Sequence, residues 1–325
     1  MAKILAGIDF GGTNLKIGCF DENLNLLVKD SVPAQINAGP TAVVEKIGEL
    51  TARLVNLCGH KTSDIIAAGI GTPGVVDVEN GVVLATSNIK FTNIPLRQMV
   101  RDKLNVPVIL ENDANVTCWA ERVAGAGKGA TEMALITLGT GIGGGIITNG
   151  ELVRGFAGNG GEIGHIIIKQ DGRLCGCGQK GCIEAYGSAS ATAGRATEAI
   201  AAGGKSSLQK ILEKSGHITC KDVYEHSAAG DELARQITDE TAKSLATLCI
   251  NLLHITGPRR IIFYGGMIEA GELLLLEPMR KFFDEHIWKI RKESIELCFA
   301  ALGAEAGIIG AAALASHELK KGKII

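Results

Sequence analysis

The chain has no charge excess of either sign. Its 33 lysines and arginines stand against 35 aspartates and glutamates, a formal net charge of −2 over 325 residues. That balance offers no basic face for nucleic acid or for an anionic membrane surface. Although 46% of the residues are hydrophobic, no uninterrupted apolar run approaches the roughly 18 residues of a membrane-spanning helix. The opening stretch Met1-Ala-Lys-Ile-Leu-Ala-Gly-Ile-Asp9 is too short and ends in an acid, which is not the layout of a secretory leader. The expected compartment is the cytoplasm. Six of the nine cysteines are scattered and read as buried thiols of a reducing compartment, not as a disulfide framework. Three familiar nucleotide signatures are also missing. Gly127-Lys128 is followed by Gly129 and makes no Walker A loop, and no H-R-D catalytic loop exists. Gly139-Thr-Gly141-Ile-Gly-Gly144 fits the spacing of a dinucleotide fingerprint but runs into a strand instead of opening a helix.

Glycine is what the chain has in quantity: 43 residues, without a collagen-like period, gathered at the ends of apolar runs. That placement suits a backbone that turns sharply after strands or approaches phosphates. Ile4 to Phe10 predicts a strand, Asn14 to Phe20 a second, and Leu24 to Val28 a third after a turn at Asp21-Glu-Asn23. Val43, Ile47, Leu50, Leu54 and Leu57 have the spacing of a core-facing helix. A buried strand over Ile65 to Ile70 ends at Gly71-Thr-Pro-Gly74, a short helix follows near 95–104, and a strand over Val106 to Glu111 ends in Asn112-Asp113-Ala-Asn115. The second half then repeats the first, offset by 128 positions, with Ile136-Thr-Leu-Gly-Thr-Gly141 matching Ile8-Asp-Phe-Gly-Gly-Thr13. Strand, glycine hairpin, strand and polar turn recur in one order, which predicts two similar α/β halves across a cleft. Residues 231–256 predict one long amphipathic helix, Ile261 to Tyr264 a strand ending in Gly265-Gly266, and Ala304 to Ser316 a closing helix of small residues.

Paired hairpins of this kind, both tipped with threonine, can offer backbone N–H groups to phosphates. Asp9 ends an apolar strand and is suited to holding Mg²⁺ through water. Asp113 lies just beyond a buried strand, placed for general-base work in a cleft; the alternative for Asn112-Asp113 is a helix cap. His165, Cys175, Cys177 and Cys182 supply one imidazole and three thiols within eighteen residues. That is a donor set for tetrahedral zinc, although the spacing is not that of zinc fingers and a glycine-rich loop with free thiols is the alternative. Glu162 and Glu184 bracket the cluster without belonging to it.

Together, Asp9-Phe-Gly-Gly-Thr13, Gly71-Thr-Pro-Gly74, Glu111-Asn-Asp-Ala-Asn115, Leu138-Gly-Thr-Gly-Ile-Gly-Gly-Gly145, Gly161-Glu-Ile-Gly-His165 and the cysteine block through Glu184 resemble the ROK family of sugar kinases. The resemblance runs from Ile8 to about Ala315, and the bacterial ATP-dependent glucokinase branch is nearest in pattern. It implies an actin-like, ribonuclease-H-like ATPase fold of two similar α/β domains, a small one over 1–113 plus 303–325 and a large one over 114–302. By the same resemblance Asp113 is the catalytic base, taking the proton of a hexose 6-hydroxyl as it attacks the γ-phosphorus of ATP. Gly74, Asn112, Glu162, His165 and Glu184 match positions that meet the sugar. Asp9, Gly11, Gly12, Thr13, Thr140 and Gly141 match the contacts to ATP phosphates and Mg²⁺, and Gly265 and Gly266 match the adenosine loop. A structural zinc on His165, Cys175, Cys177 and Cys182, with no open position for hydrolysis, and a homodimer are likewise implied.

Glucose is the favoured hexose, with N-acetylmannosamine, N-acetylglucosamine, fructose and allose as alternatives and polyphosphate as an alternative donor. Ser87-Asn-Ile-Lys-Phe91 is expected near the substrate entrance. The family also contains sugar-responsive repressors, which add an N-terminal helix-turn-helix. Here the first hairpin begins at Ile8 and leaves no room for one. A non-catalytic sugar-binding subunit would have no need of Asp9, Asp113 and both hairpins. One departure stands out: Tyr264-Gly-Gly-Met267 occupies the place where relatives often carry a third glycine.

Overall fold

The apolar run Ile4–Phe10 forms the first strand, β1, and buries every side chain except that of Asp9, which is half-buried. In the computed structural model, which describes residues 3–86, 91–156, 158, 160–288 and 294–322, the chain continues through β2 (Asn14–Phe20), β3 (Leu26–Pro33), α1 (Pro40–Leu57), β4 (Ile65–Thr72), β5 (Val75–Asp77), β6 (Val82–Ala85) and β7 (Thr92–Ile94). Helix α2 (Leu96–Leu104), β8 (Val108–Asn112) and α3 (Asp113–Ala124) follow, then β9 (Met133–Leu138), β10 (Ile142–Thr148) and β11 (Glu151–Leu152). Six helices come next in two groups: α4 (Glu184–Gly187), α5 (Ala189–Ala201), α6 (Gln209–Ser215), α7 (Cys220–Ala228) and α8 (Glu232–Thr256), then α9 (Glu277–His286) after strand β12 (Arg260–Tyr264). Strand β13 (Glu296–Phe299) and α10 (Ala306–Lys320) complete the described chain. None of its helices is long and apolar enough to cross a membrane.

The repeat seen in the sequence is a repeat in topology. One five-stranded sheet has the order β3-β2-β1-β4-β8 and the other β11-β10-β9-β12-β13. In each, an antiparallel hairpin (β1 with β2, β9 with β10) is extended on its first strand by two parallel strands. A small antiparallel sheet, β5-β6-β7, stands apart from both. The third strand begins at Leu26, later than the apolar residues suggest. Asp21 accepts hydrogen bonds from the Asn23 and Asn25 backbone N–H groups, and Leu24 is thereby held at φ +64°.

The chain divides into two compact units: 1–129, 152–160 and 301–325 form the first, and 130–151 with 161–300 the second. The dividing line expected after residue 113 thus falls after Gly129, because α3 packs on α10, β4 and β8. The short return of 152–160 to the first unit has no counterpart in the expected boundaries.

In the first unit, α1 lies on β2 and β3 and buries Val43, Ile47, Leu50 and Leu54. α10 packs on β1, β4 and α3. Its small residues are needed because backbone meets backbone there: a Cβ on Gly7 would lie 2.0 Å from the Ile308 carbonyl oxygen, and one on Gly69 1.9 Å from that of Ala311. Buried Glu121, near the end of α3, accepts from the N–H groups of Ala126 (2.7 Å), Ala301 (3.1 Å) and Leu302 (2.9 Å). One carboxylate therefore fixes two places where the chain leaves and re-enters this unit. In the second unit α8 is the central helix, packed on α4, α5, α7 and α9. Asp231 caps it by accepting from the Ala234 N–H at 2.9 Å, and Gly257 ends it at φ +58°.

Candidate active site

The two glycine hairpins have matching tips. Gly11 N–H donates to the Asn14 carbonyl at 3.0 Å in the first, and Gly139 N–H to the Gly141 carbonyl at 3.1 Å in the second. Thr13 and Thr140 are exposed, with Gly11, Gly12 and Gly141 half-buried beside them. Asp9 is the last residue but one of β1, paired in register with Lys16 on β2 and Gly71 on β4. Burial pushes its carboxyl up, Lys16 pulls it down and Glu305 adds to the rise, with a net upward shift. Gly307 has to be glycine, since a Cβ there would lie 2.6 Å from the Asp9 carboxyl carbon.

The end of β8 and the start of α3 carry the next group. Asn112, not Asp113, is the helix cap: its Oδ1 accepts from the N–H groups of Ala114 (2.9 Å) and Asn115 (3.3 Å). Asp113 is the first helical residue, exposed, with Oδ1 accepting from Ala114 N–H at 2.8 Å. The Asn112 amide donates to the Gly74 carbonyl at 3.1 Å, so these two expected sugar contacts are tied to each other. Gly74 is at φ +96°, and a Cβ there would meet the Ala85 carbonyl at 2.3 Å.

Glu162, His165 and Glu184 belong to the second unit. Ile163–His165 is a single 3-10 turn, which sets the exposed Glu162 and the half-buried His165 at its two ends. Gly164 in that turn lies flat on β10, where a Cβ would be 2.0 Å from the Ile142 carbonyl. Glu184 starts α4. Its Oε2 accepts from Ile142 N–H at 2.9 Å and its Oε1 from the Cys175 thiol at 3.4 Å. Gly141 leaves room for this carboxylate, since a Cβ there would be 2.4 Å from Oε2. One side chain thus links the second glycine hairpin to the cysteine cluster.

The donor atoms of His165, Cys175, Cys177 and Cys182 all lie within 4.8 Å of one another. The sulfurs of Cys177 and Cys182 are 3.7 Å apart, and that of Cys175 is 3.8 Å from His165 Nδ1. Tetrahedral zinc with bonds of about 2.3 Å to sulfur sets sulfur–sulfur edges of about 3.8 Å. The four residues are therefore at metal-holding separations, with Nδ1 as the imidazole donor and Nε2 left over. Burial pushes the Cys175 thiol up to about 12 and raises that of Cys182, whereas the Gln179 backbone N–H lowers that of Cys177. A bound cation would displace these protons outright.

A cavity of about 580 Å³ opens beside the second hairpin, lined by Thr140, Cys220, Tyr224, Gly266, Met267 and Leu274 among others. Gly265, at φ +110°, brings this loop close to β9, where a Cβ would meet the Leu138 carbonyl at 2.5 Å. Tyr264 ends β12 opposite Thr137 and is not part of the cavity wall, while the buried Met267 is. The α7 residues of that wall were not among the expected contacts. A Thr219–Asp222 capping box marks where α7 starts, but nothing local in the sequence says what the helix faces. Of the segment expected at the substrate entrance, Ser87 to Lys90 lie outside the described residues and Phe91 is buried against Phe10.

Against known proteins, the model of the ROK family matches residues 5–318. The chain belongs to the ROK family. With membership comes the actin-like ATPase fold that the paired sheets display. Among ROK relatives, the glucokinase of Halalkalibacterium halodurans is 35% identical, with 94% of this chain and 92% of that protein covered. A solved structure of a ROK family glucokinase from Streptomyces griseus in complex with glucose and AMPPNP is 34% identical, with a TM-score of 0.76 and coverage of 98% of this chain and 100% of that one. Regulators of the family match as well. The xylose repressor of Caldicellulosiruptor bescii is 26% identical, over 97% of this chain and 78% of the repressor.

Proposed function

We propose that this ROK protein is a hexose kinase that transfers the γ-phosphoryl group of ATP to a sugar 6-hydroxyl, with glucose as the substrate. The observation that carries the reading is Asp113: an exposed carboxylate on the first residue of α3, flanked by a locked Asn112–Gly74 pair, in a chain with full-length similarity to glucokinases. Phosphoryl transfer asks little covalent chemistry of a protein and much positioning. Asp113 accepts the proton of the 6-hydroxyl as its oxygen bonds to the γ-phosphorus and the bond to the ADP oxygen breaks. Asn112, Glu162, His165 and Glu184 orient the sugar through hydroxyl hydrogen bonds, joined by the Gly74 backbone. The N–H groups around Gly11, Gly12, Thr13, Thr140 and Gly141 bind the phosphates, and the cavity beside Gly266 takes the adenosine. Asp9 would hold Mg²⁺, which neutralises charge on the phosphates when bound. Zinc on His165, Cys175, Cys177 and Cys182 is structural in this reading, since all four positions are filled by protein. A homodimer is carried over from the family resemblance alone.

The test is ADP release with Mg·ATP across glucose, mannose, fructose, allose, N-acetylglucosamine and N-acetylmannosamine, beside the Asp113→Asn protein. Turnover concentrated on glucose and reduced about 10²–10⁴-fold in the variant is expected for loss of a general base. Equal rates in both proteins would sink the role of Asp113. The second reading is a sugar-responsive regulator, which the repressor similarity favours. It predicts sugar binding with no phosphoryl transfer from ATP or polyphosphate.

A further inference from the structure

The Arg154 guanidinium lies between two buried carboxylates. Nε donates to Glu111 Oε2 at 2.7 Å and Nη2 to Glu318 Oε1 at 3.1 Å. Glu111 is 0% exposed and Glu318 3%. Carboxyl groups buried to that degree need polar partners, because the low-dielectric interior gives back little of the lost hydration. Burial pulls the guanidinium down, but the charges and hydrogen bonds of Glu111 and Glu318 outweigh it and hold Arg154 protonated.

The other oxygen of Glu111 acts on α3. Oε1 accepts from the Asn112 backbone N–H and from the Asn115 side-chain amide, both at 3.0 Å. Asn112 in turn caps the helix through Ala114 and Asn115 and reaches the Gly74 carbonyl. A continuous chain of hydrogen bonds therefore runs from Arg154 through Glu111 to the turn that carries Asp113. All of its members lie in the first unit, and it accounts for the return of 152–160 to that unit. We propose that Arg154 is a positioning residue for phosphoryl transfer: by pairing with Glu111 it keeps that carboxylate aimed at Asn112 and Asn115, and so fixes where Asp113 stands. The proposal rests on the kinase reading of Asp113. Among the described residues, the Arg154 side chain hydrogen-bonds to Glu111 and Glu318 and to none of the residues assigned to sugar, phosphate or adenosine.

The decisive comparison is Arg154→Met against Arg154→Lys and against the triple variant E111Q/R154M/E318Q. In the triple variant no buried charge is left without a partner, and the side-chain amide carbonyl introduced by E111Q can still accept both hydrogen bonds. Misplacing a reacting group by about 1 Å costs on the order of 10²-fold. Arg154→Met is therefore expected to lower kcat about 10²-fold, to leave the Kd for ADP unchanged, and to speed amide exchange at Ala114 and Asn115. Arg154→Lys should recover about a tenth or more of the lost rate, and the triple variant should outperform Arg154→Met. A kcat for Arg154→Met within about threefold of the parent would overturn the proposal. So would a triple variant no better than the product of its single losses, or unchanged exchange at both amides. If Arg154→Met does not fold, the triple variant and Arg154→Lys carry the same comparison. A parent protein silent on every sugar would refute the kinase reading instead, while amide exchange would still decide whether Arg154 holds the start of α3.

Discussion

Asp9 shows how a single residue sets function against stability. Its carboxyl is raised first by burial, and the neighbouring Lys16 only partly offsets this. A carboxyl raised on folding favours the native state most fully below its unfolded value, near 3.9. That contribution is lost as pH rises through the folded value. At neutral pH the ionised Asp9 therefore weakens the fold, and under the proposed function cation binding would be the reason to keep it. Asp9→Asn is expected to raise the melting temperature at pH 7 by roughly 1–2 °C, for a gain of order 1 kcal/mol. The gain should shrink as pH falls from 7 to 4 and the parent carboxyl takes up a proton, and phosphoryl transfer should be lost. Melting curves of both proteins across that range check it; a less stable variant at pH 7 would contradict the burial argument.

At the scale of elements, the stretch 161–184 has no regular secondary structure beyond short turns and two isolated bridges, Ile167 with Cys182 and Leu174 with Lys180. With zinc held by the four candidate ligands, as proposed, the order of this stretch would rest on that ion. Stripping the metal with a chelator is expected to release about one zinc per chain and to remove activity by at least about 10²-fold. The loss should follow because Glu162, His165 and Glu184, the residues proposed to meet the sugar, lie within or at the end of this stretch. Metal analysis and activity on the same samples check this; a metal-free protein of full activity would rule out the structural role. The elements differ in how openly the sequence announces them. β1 and β2 match their apolar runs residue for residue, because burial of a strand is written in its own side chains. The hairpins, Asp113 and the four donors are legible for the same reason, being local motifs. The α7 wall of the cavity and the Arg154–Glu111–Glu318 network are not legible, since they join residues up to 164 positions apart through the tertiary fold. Asn112 takes the cap from Asp113 for a similar reason, with Glu111 and Gly74 holding it in place.

On the scale of the whole molecule, neither unit is a single stretch of chain. The first unit is assembled from three segments, and its sheet is covered by α10 at contacts where Gly7 and Gly69 leave no space for any side chain. A chain ending after residue 300 is accordingly expected to lose amide protection throughout 3–129 while 130–151 and 161–300 keep theirs and bind ADP through the cavity beside Thr140. Hydrogen exchange read by mass spectrometry checks it, and persistent protection of β1 and β4 would show that α10 is dispensable. The same arrangement bears on the order of events at the ribosome. Residues 1–129 leave the exit tunnel first, yet they cannot complete their unit until α10 has been made, a delay of roughly 10–35 s at about 5–20 residues per second. Through that interval the apolar strands β1 and β4 wait uncovered while the later-made unit closes, so of the two units the one begun first is the last to finish folding and the more in need of a chaperone.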